Sequence, residues 1–195
     1  SDLKIVMVIT NVEIQQFDLK GHPLKAIGDI SNLQRNLLGI MCSQKCPGDL
    51  ILKGFDAAKE IREQGITVAS GFHSPIEKDI FEILLRGHQP VIHCLAKAIE
   101  SYRIPKRLRP RVDNGQLTII APDFLSNEKR ITKATSEKCN ALVLDICDQV
   151  LIIHAHEGGS LFRELFSHGS KISQLAAVDS PNNSHLFKLG LSKWK

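Results

Sequence analysis

No run of apolar residues in this chain approaches the ~18 that a bilayer-spanning helix needs, so no membrane span is expected. The opening "SDLKIVMVITNVE" lacks a basic stretch followed by a cleavable apolar one, so no secretion signal is expected either. Repeats and low-complexity tracts are missing as well. The cysteines number five (Cys42, Cys46, Cys94, Cys139 and Cys147) and are scattered through apolar or helical segments. An odd count so placed argues against a disulfide frame and for reduced thiols in a cytoplasm. His154 and His156 alternate toward one side of a strand but have no matched third ligand, so neither a metal nor another cofactor is expected.

What is present is an ordinary globular composition. The chain has 195 residues and 21.7 kDa, 43% hydrophobic and 24% charged, enough for one domain of generous size. Its net charge of +4 is uneven. "KAIESYRIPKRLRPR" (Lys97–Arg111) holds six basic residues against one Glu, so the rest of the chain sums to about −1. Arg103, Lys106, Arg107, Arg109 and Arg111 are the residues there that suit salt-sensitive contacts to a nucleic-acid backbone. The other reading is a solvated face.

Strand-like and helix-like patterns alternate from Leu37 onward. "NLLGIMCS", "ITVAS", "PVIHCLA", "QLTIIA" and "QVLIIHA" are short apolar runs, and "KISQLAAV" suits one more strand. Between them lie amphipathic stretches. Leu50, Phe55, Ala58 and Ile61 keep helical spacing up to Gly65, a C-terminal cap, and further helices fall at Ile76–Arg86, "ITKATSEKCNALVLDI" and "SLFRELFSHG". Apolar strands separated by such helices predict an α/β, Rossmann-like open parallel sheet with helices on both faces. Residues 1–36 read as a short β-rich lead-in ("LKIVMVIT", "HPLKAIGD"). Residues 37–178 read as the binding domain and 179–195 as an irregular tail.

In such a sheet ligands bind beyond the strand C-termini. The loops there are "CSQKCPG", "SGFHSP", "HCLAK", "APDF" and "HAHEGGS". Ser74-Pro75-Ile76-Glu77 has the order of a capping box, with Gly71 supplying backbone freedom for the turn before it. Because Pro75 has no N–H, a phosphate there would use the amides of Gly71, Phe72 and His73 and the Ser74 hydroxyl. Gly158-Gly159-Ser160 opens a helix, where an anion can sit, and a flexible turn capped by Ser160 is the alternative.

From about Pro23 to Gly190 these loops resemble, in order and spacing, the Rossmann-like domain of the DNA-processing protein A (Smf) family. The wider superfamily includes the LONELY GUY phosphoribohydrolases. "HPLKAIGDISNL" resembles the family's lead-in, and "GIMCSQKCPG" its first phosphate loop. Gly71, Ile76 and Glu77 fall in its second motif, Asn140 on the Asn of Arg-Asn-Arg, and Gly159-Ser160-Leu161 on Ser-Gly-Ser-Leu. Cys42, Gln44, Cys139 and Ala141 stand where the family has Gly and three arginines, and Pro75 where it has Gly. Lys45 and the stretch after Lys97 are the available substitutes, with Tyr102 that stretch's one aromatic.

The resemblance implies a bacterial-type module associated with DNA-mediated transformation, which binds a nucleotide or single-stranded DNA without catalysis. Its contacts would be Ser43, Gln44 and Lys45, then Gly71, Phe72, His73 and Ser74, then Asn140 and Gly158, Gly159 and Ser160. Asn140 would orient a base or ribose. A homodimer is left open. The alternatives are a nucleotide N-glycosidase using Glu77 or Glu164, although "EGGSLFRE" lacks the phosphoribohydrolase Gly-Thr pair, and a sensor of a small nucleotide.

Overall fold

The computed structural model describes residues 4–9, 12–167 and 169–195. Among them, ten strands form one sheet: β1 (Lys4–Ile9), β2 (Val12–Leu19), β3 (His22–Ile27), β4 (Leu37–Cys42), β5 (Thr67–Ser70), β6 (Val91–Cys94), β7 (Leu117–Pro122), β8 (Gln149–His154), β9 (Leu175–Ala177) and β10 (Ser192–Lys193). Their order is β1-β2-β3-β7-β6-β5-β4-β8-β9-β10. From β7 to β10 every pairing is parallel, while β1–β3 extend the β7 edge antiparallel. β4 is the first strand of the parallel part, and the chain continues to β5 on one side of it and returns as β8 on the other. This reversal is a topological switch point, which leaves a crevice beyond the strand ends.

Alternation along the strands feeds two cores, because successive side chains point to opposite faces. Leu38, Ile40, Val68, Ile119 and Ile153 join one cluster with α1 (Gly48–Glu63), α2 (Pro75–Leu85) and α3 (Arg109–Asp113). Leu37, Met41, Ala69, Ile120 and Ile152 join the other with α4 (Lys133–Ile146), α5 (Ser160–Ser167) and α6 (Ser184–Lys188). The expected α/β sheet with helices on both faces is therefore the one observed. Gly54 lets α1 lie close on β8, since a Cβ there would stand 2.8 Å from Ile153 Cγ2.

Within the β-rich lead-in, β2 is a strand that the sequence reading did not single out, since Glu13, Gln15, Gln16 and Asp18 dilute its apolar pattern. One segment departs from the sequence reading. Residues 179–195 are not an irregular tail. They form a 3-10 turn (Pro181–Asn183), α6 and β10, and Asn183 is fully buried. Asn183 Nδ2 donates to the carbonyls of Ile153 (2.9 Å) and Val178 (2.8 Å), while its Oδ1 meets His154 Nδ1 at 2.9 Å. Ser180 Oγ and Asn182 Nδ2 donate to Asp49 at 2.7 and 2.8 Å, fastening this end to the start of α1. Polar side chains do this work, so an apolar pattern could not announce it. Among the described residues, no helix is long and apolar enough to cross a membrane.

Candidate functional site

A cavity of about 920 Å³ opens beyond the C-terminal ends of β4, β5 and β6, at the switch point. Ser43, Ser74 and Ser160, far apart in the chain, all line it, as do Gln44, Lys45, Gly71, Phe72, His73, Asn140 and Gly159. Of the eleven residues expected around a ligand, Gly158 alone stays off the wall.

The floor is built by a clasp between loops. Ser74 caps α2 as expected: its hydroxyl accepts from the Glu77 amide at 3.3 Å, with Pro75 at the first helical position. The Glu77 carboxylate reaches further than a capping box requires. One oxygen accepts from the Cys42 amide (3.0 Å) and the other from the His73 amide (2.9 Å), joining the end of β4 to the turn after β5. Burial pushes the Glu77 carboxyl above its ordinary range, and these two amides pull against that shift. Ser43 makes the matching tie to β8: its amide donates to the His154 carbonyl (2.8 Å), and its hydroxyl accepts from the His156 amide (2.9 Å).

These bonds narrow the expected phosphate contacts. The Phe72 amide donates to Ser70 Oγ at 3.1 Å and the His73 amide to Glu77, so neither is available to a ligand. The Gly159 amide likewise donates to the His156 carbonyl at 2.9 Å. Hydroxyls and lysines are left as the cavity's main groups for an anion. Lys45, Lys78, Lys97 and Lys133 all line it.

The basic stretch is divided. Lys97 and Tyr102 reach the cavity, but Arg103, Lys106, Arg107, Arg109 and Arg111 do not line it. Arg107 is taken by Glu82 at 2.6 Å. Arg109 lines a separate hollow with Gly28, Asp29 and Gly115, near the end where β7 begins rather than where it ends.

The histidines also divide. His156 lines the cavity, whereas His154 is buried against Asn183 and lies 5.9 Å from the His185 ring. The strand ends at His154, so the alternation assumed from sequence stops before His156. Among the described residues, no three His, Cys, Asp or Glu are grouped to hold a metal.

Sequence reasoning named Phe72 but not the rings packed behind it, Phe81 and His93. Phe72 has φ +50°, a left-handed value uncommon outside glycine, and its ring lies 4.7 Å from Phe81 and 5.6 Å from His93. Burial lowers both His73 and His93 to about 4, so neither imidazole is charged near neutral pH. Across the cavity, burial raises the Glu164 carboxyl to about 7, although the hydrogen-bonded Asn140 opposes the shift. Even with Glu77, Glu137 and Glu164 all counted as charged, the four lysines outnumber the acids of the lining.

No family model matches this chain, and no curated protein matches it in sequence. Solved structures do match it. DNA processing protein A from Helicobacter pylori, described for its single-stranded DNA binding mode, superposes with a TM-score of 0.68 at 16% identity, covering 88% of this chain and 80% of that one. The Streptococcus pneumoniae protein gives 0.69 at 14% identity over 88% of this chain, which spans only 62% of that protein. A molybdenum cofactor binding protein from Rippkaea orientalis gives 0.54 at 11% identity, covering 82% of this chain and 88% of that one. The chain has the Rossmann-like fold of DNA processing protein A.

Proposed function

We propose that this chain binds a nucleotide or single-stranded DNA in the switch-point cavity and performs no chemistry on it. The observation that carries this reading is the convergence of Ser43, Ser74 and Ser160 with four lysines on one cavity of about 920 Å³. Hydroxyls and ammonium groups recognise phosphate oxygens without needing the arginines that the resemblance would supply. The fold shared with a protein whose single-stranded DNA binding is described supports the choice of ligand. The test is anisotropy of a labelled single-stranded oligonucleotide across a salt series. Affinity should fall as salt rises, because phosphate contacts release counterions. Affinity that ignores salt would sink the reading.

One observation favours a second reading. A carboxyl held at about 7 on the cavity wall, Glu164, is suited to general acid catalysis near neutrality, as cleavage of a nucleotide N-glycosidic bond requires. Release of free adenine from AMP, abolished in E164Q, would establish it. No release at micromolar enzyme over hours would dismiss it.

A further inference from the structure

All five cysteines are free thiols, but their surroundings differ. Cys94, Cys139 and Cys147 are sealed in the cluster beneath α4, α5 and α6. Cys42 ends β4 and is buried on the opposite face, and Cys46 packs against that same cluster while keeping a partly exposed side. Between them the chain bends at Gln44 and Lys45, which returns Cys46 to Cys42 just before α1 begins. The two thiols hydrogen-bond to each other. That bond is the first cause pushing the Cys42 thiol up, with burial second. The same bond pulls the Cys46 thiol down, against burial and the nearby Asp49 carboxylate. Cys42 therefore keeps its proton, while Cys46 more readily becomes a thiolate, the form that reacts with oxidants. The partly exposed sulfur is thus also the more reactive one, and it has a second sulfur beside it.

We propose that Cys42 and Cys46 are a redox-active pair: a peroxide oxidises Cys46, and the two sulfurs then close a disulfide that ties Ser43, Gln44 and Lys45 into a ring. In the first step the Cys46 thiolate attacks one peroxide oxygen and the O–O bond breaks. Cys46 becomes a sulfenic acid, and the other oxygen leaves as hydroxide, which a solvent proton turns to water. In the second step the Cys42 sulfur attacks the Cys46 sulfur and the S–O bond breaks. The departing hydroxide takes the Cys42 proton and leaves as a second water. The two thiols together give up two electrons, which reduce the peroxide to two waters. Once Cys46 carries oxygen it is no longer the thiolate that holds the Cys42 proton, so Cys42 is released to react. A ring of so few residues takes little entropy from the unfolded chain, so the bridge is held weakly and a reducing dithiol reopens it. Ser43, Gln44 and Lys45 all line the cavity, so the ring forms at its rim.

The experiment treats the native full chain with a slight excess of hydrogen peroxide, blocks the remaining thiols with N-ethylmaleimide in urea, and digests with trypsin. Cleavage after Lys45 puts the two sulfurs on separate peptides, 36–45 and 46–53. A bridge is then read as one joined mass, lighter than the sum of the two by two hydrogens. Wild type should give this joined peptide, and dithiothreitol should return the separate ones. In C42S, Cys46 should instead pass to sulfinic or sulfonic acid, since no second sulfur intercepts the sulfenic stage. Wild-type peptides that stay separate, with Cys46 either unreacted or carried beyond sulfenic acid, overturn the proposal, and that result needs no variant to fold. A bridge joining Cys46 to a second chain, seen as peptide 46–53 linked to itself, also overturns it. The readout involves no ligand, so either failure leaves the binding proposal standing.

Discussion

Glu77 accepts a hydrogen bond from the backbone amide of Cys42 at 3.0 Å, across 35 residues of chain. With its second bond to His73, this one side chain holds two cavity loops in register. E77A would leave the buried Cys42 amide and the half-buried His73 amide without acceptors, at ~1–3 kcal/mol for a fully buried group and less for the other. We expect E77A to lose about 2–4 kcal/mol in urea unfolding and E77Q, which keeps one acceptor oxygen, clearly less.

Gly71 lies beneath the His73 ring. A Cβ there would collide with the imidazole and stand 3.1 Å from Cys139 Sγ. G71A should therefore lose about 1–3 kcal/mol, the usual cost of overpacking, and H73A in the same chain should recover much of it. Thermal melts of the two variants check this.

The buried histidines and Glu164 give opposite pH dependences. His73 and His93 titrate at about 4 in the folded protein against an ordinary 6.5, so the unfolded chain takes up protons that the native state refuses. Their stabilising contribution is complete above pH 6.5 and is lost as pH falls toward 4. Urea midpoints of H93F should fall less than those of wild type between pH 6.5 and 4. Glu164 works the other way. Its folded value of about 7 exceeds the ordinary 4.5, so its contribution is complete below 4.5 and is lost as pH rises through 7. E164Q should lose less stability than wild type between pH 5 and 8.

The divided basic stretch predicts a division in binding. K45A and K133A should weaken oligonucleotide affinity and lower the salt slope by about 0.7 each, the single-strand value per phosphate contact. R109A and R111A, off the cavity wall, should leave both unchanged. The reverse outcome in a salt series would move the interface away from the cavity.

Asn183 should matter out of proportion to its place near the chain's end. N183A removes three buried hydrogen bonds that join α6, β8 and the segment after β9. A loss of about 2–4 kcal/mol in chemical denaturation is expected.

The parallel sheet was readable because Leu37–Cys42 and Val150–Ile153 are apolar on both faces, and α1 because Leu50, Ala58 and Ile61 recur on one side. The convergence of three distant serines was readable too, since strand-to-helix loops of one sheet share an edge. Less accessible was which polar groups those loops use on themselves. Nothing local indicates that Glu77 takes the Cys42 and His73 amides, or that Ser70 takes the Phe72 amide, because each bond depends on how neighbouring strands are staggered. His93, Tyr102, Lys78 and Lys133 were missed as wall residues for the same reason. A pattern reveals which residues leave the core, but not which of them turn back over a crevice.

Ser43 links the two strands that flank the switch point twice, once through its amide and once through its hydroxyl. The root of the crevice is thereby held by the sheet itself, so its depth is set by the same pairing that orders the strands, and a guest meets a floor laid down by folding.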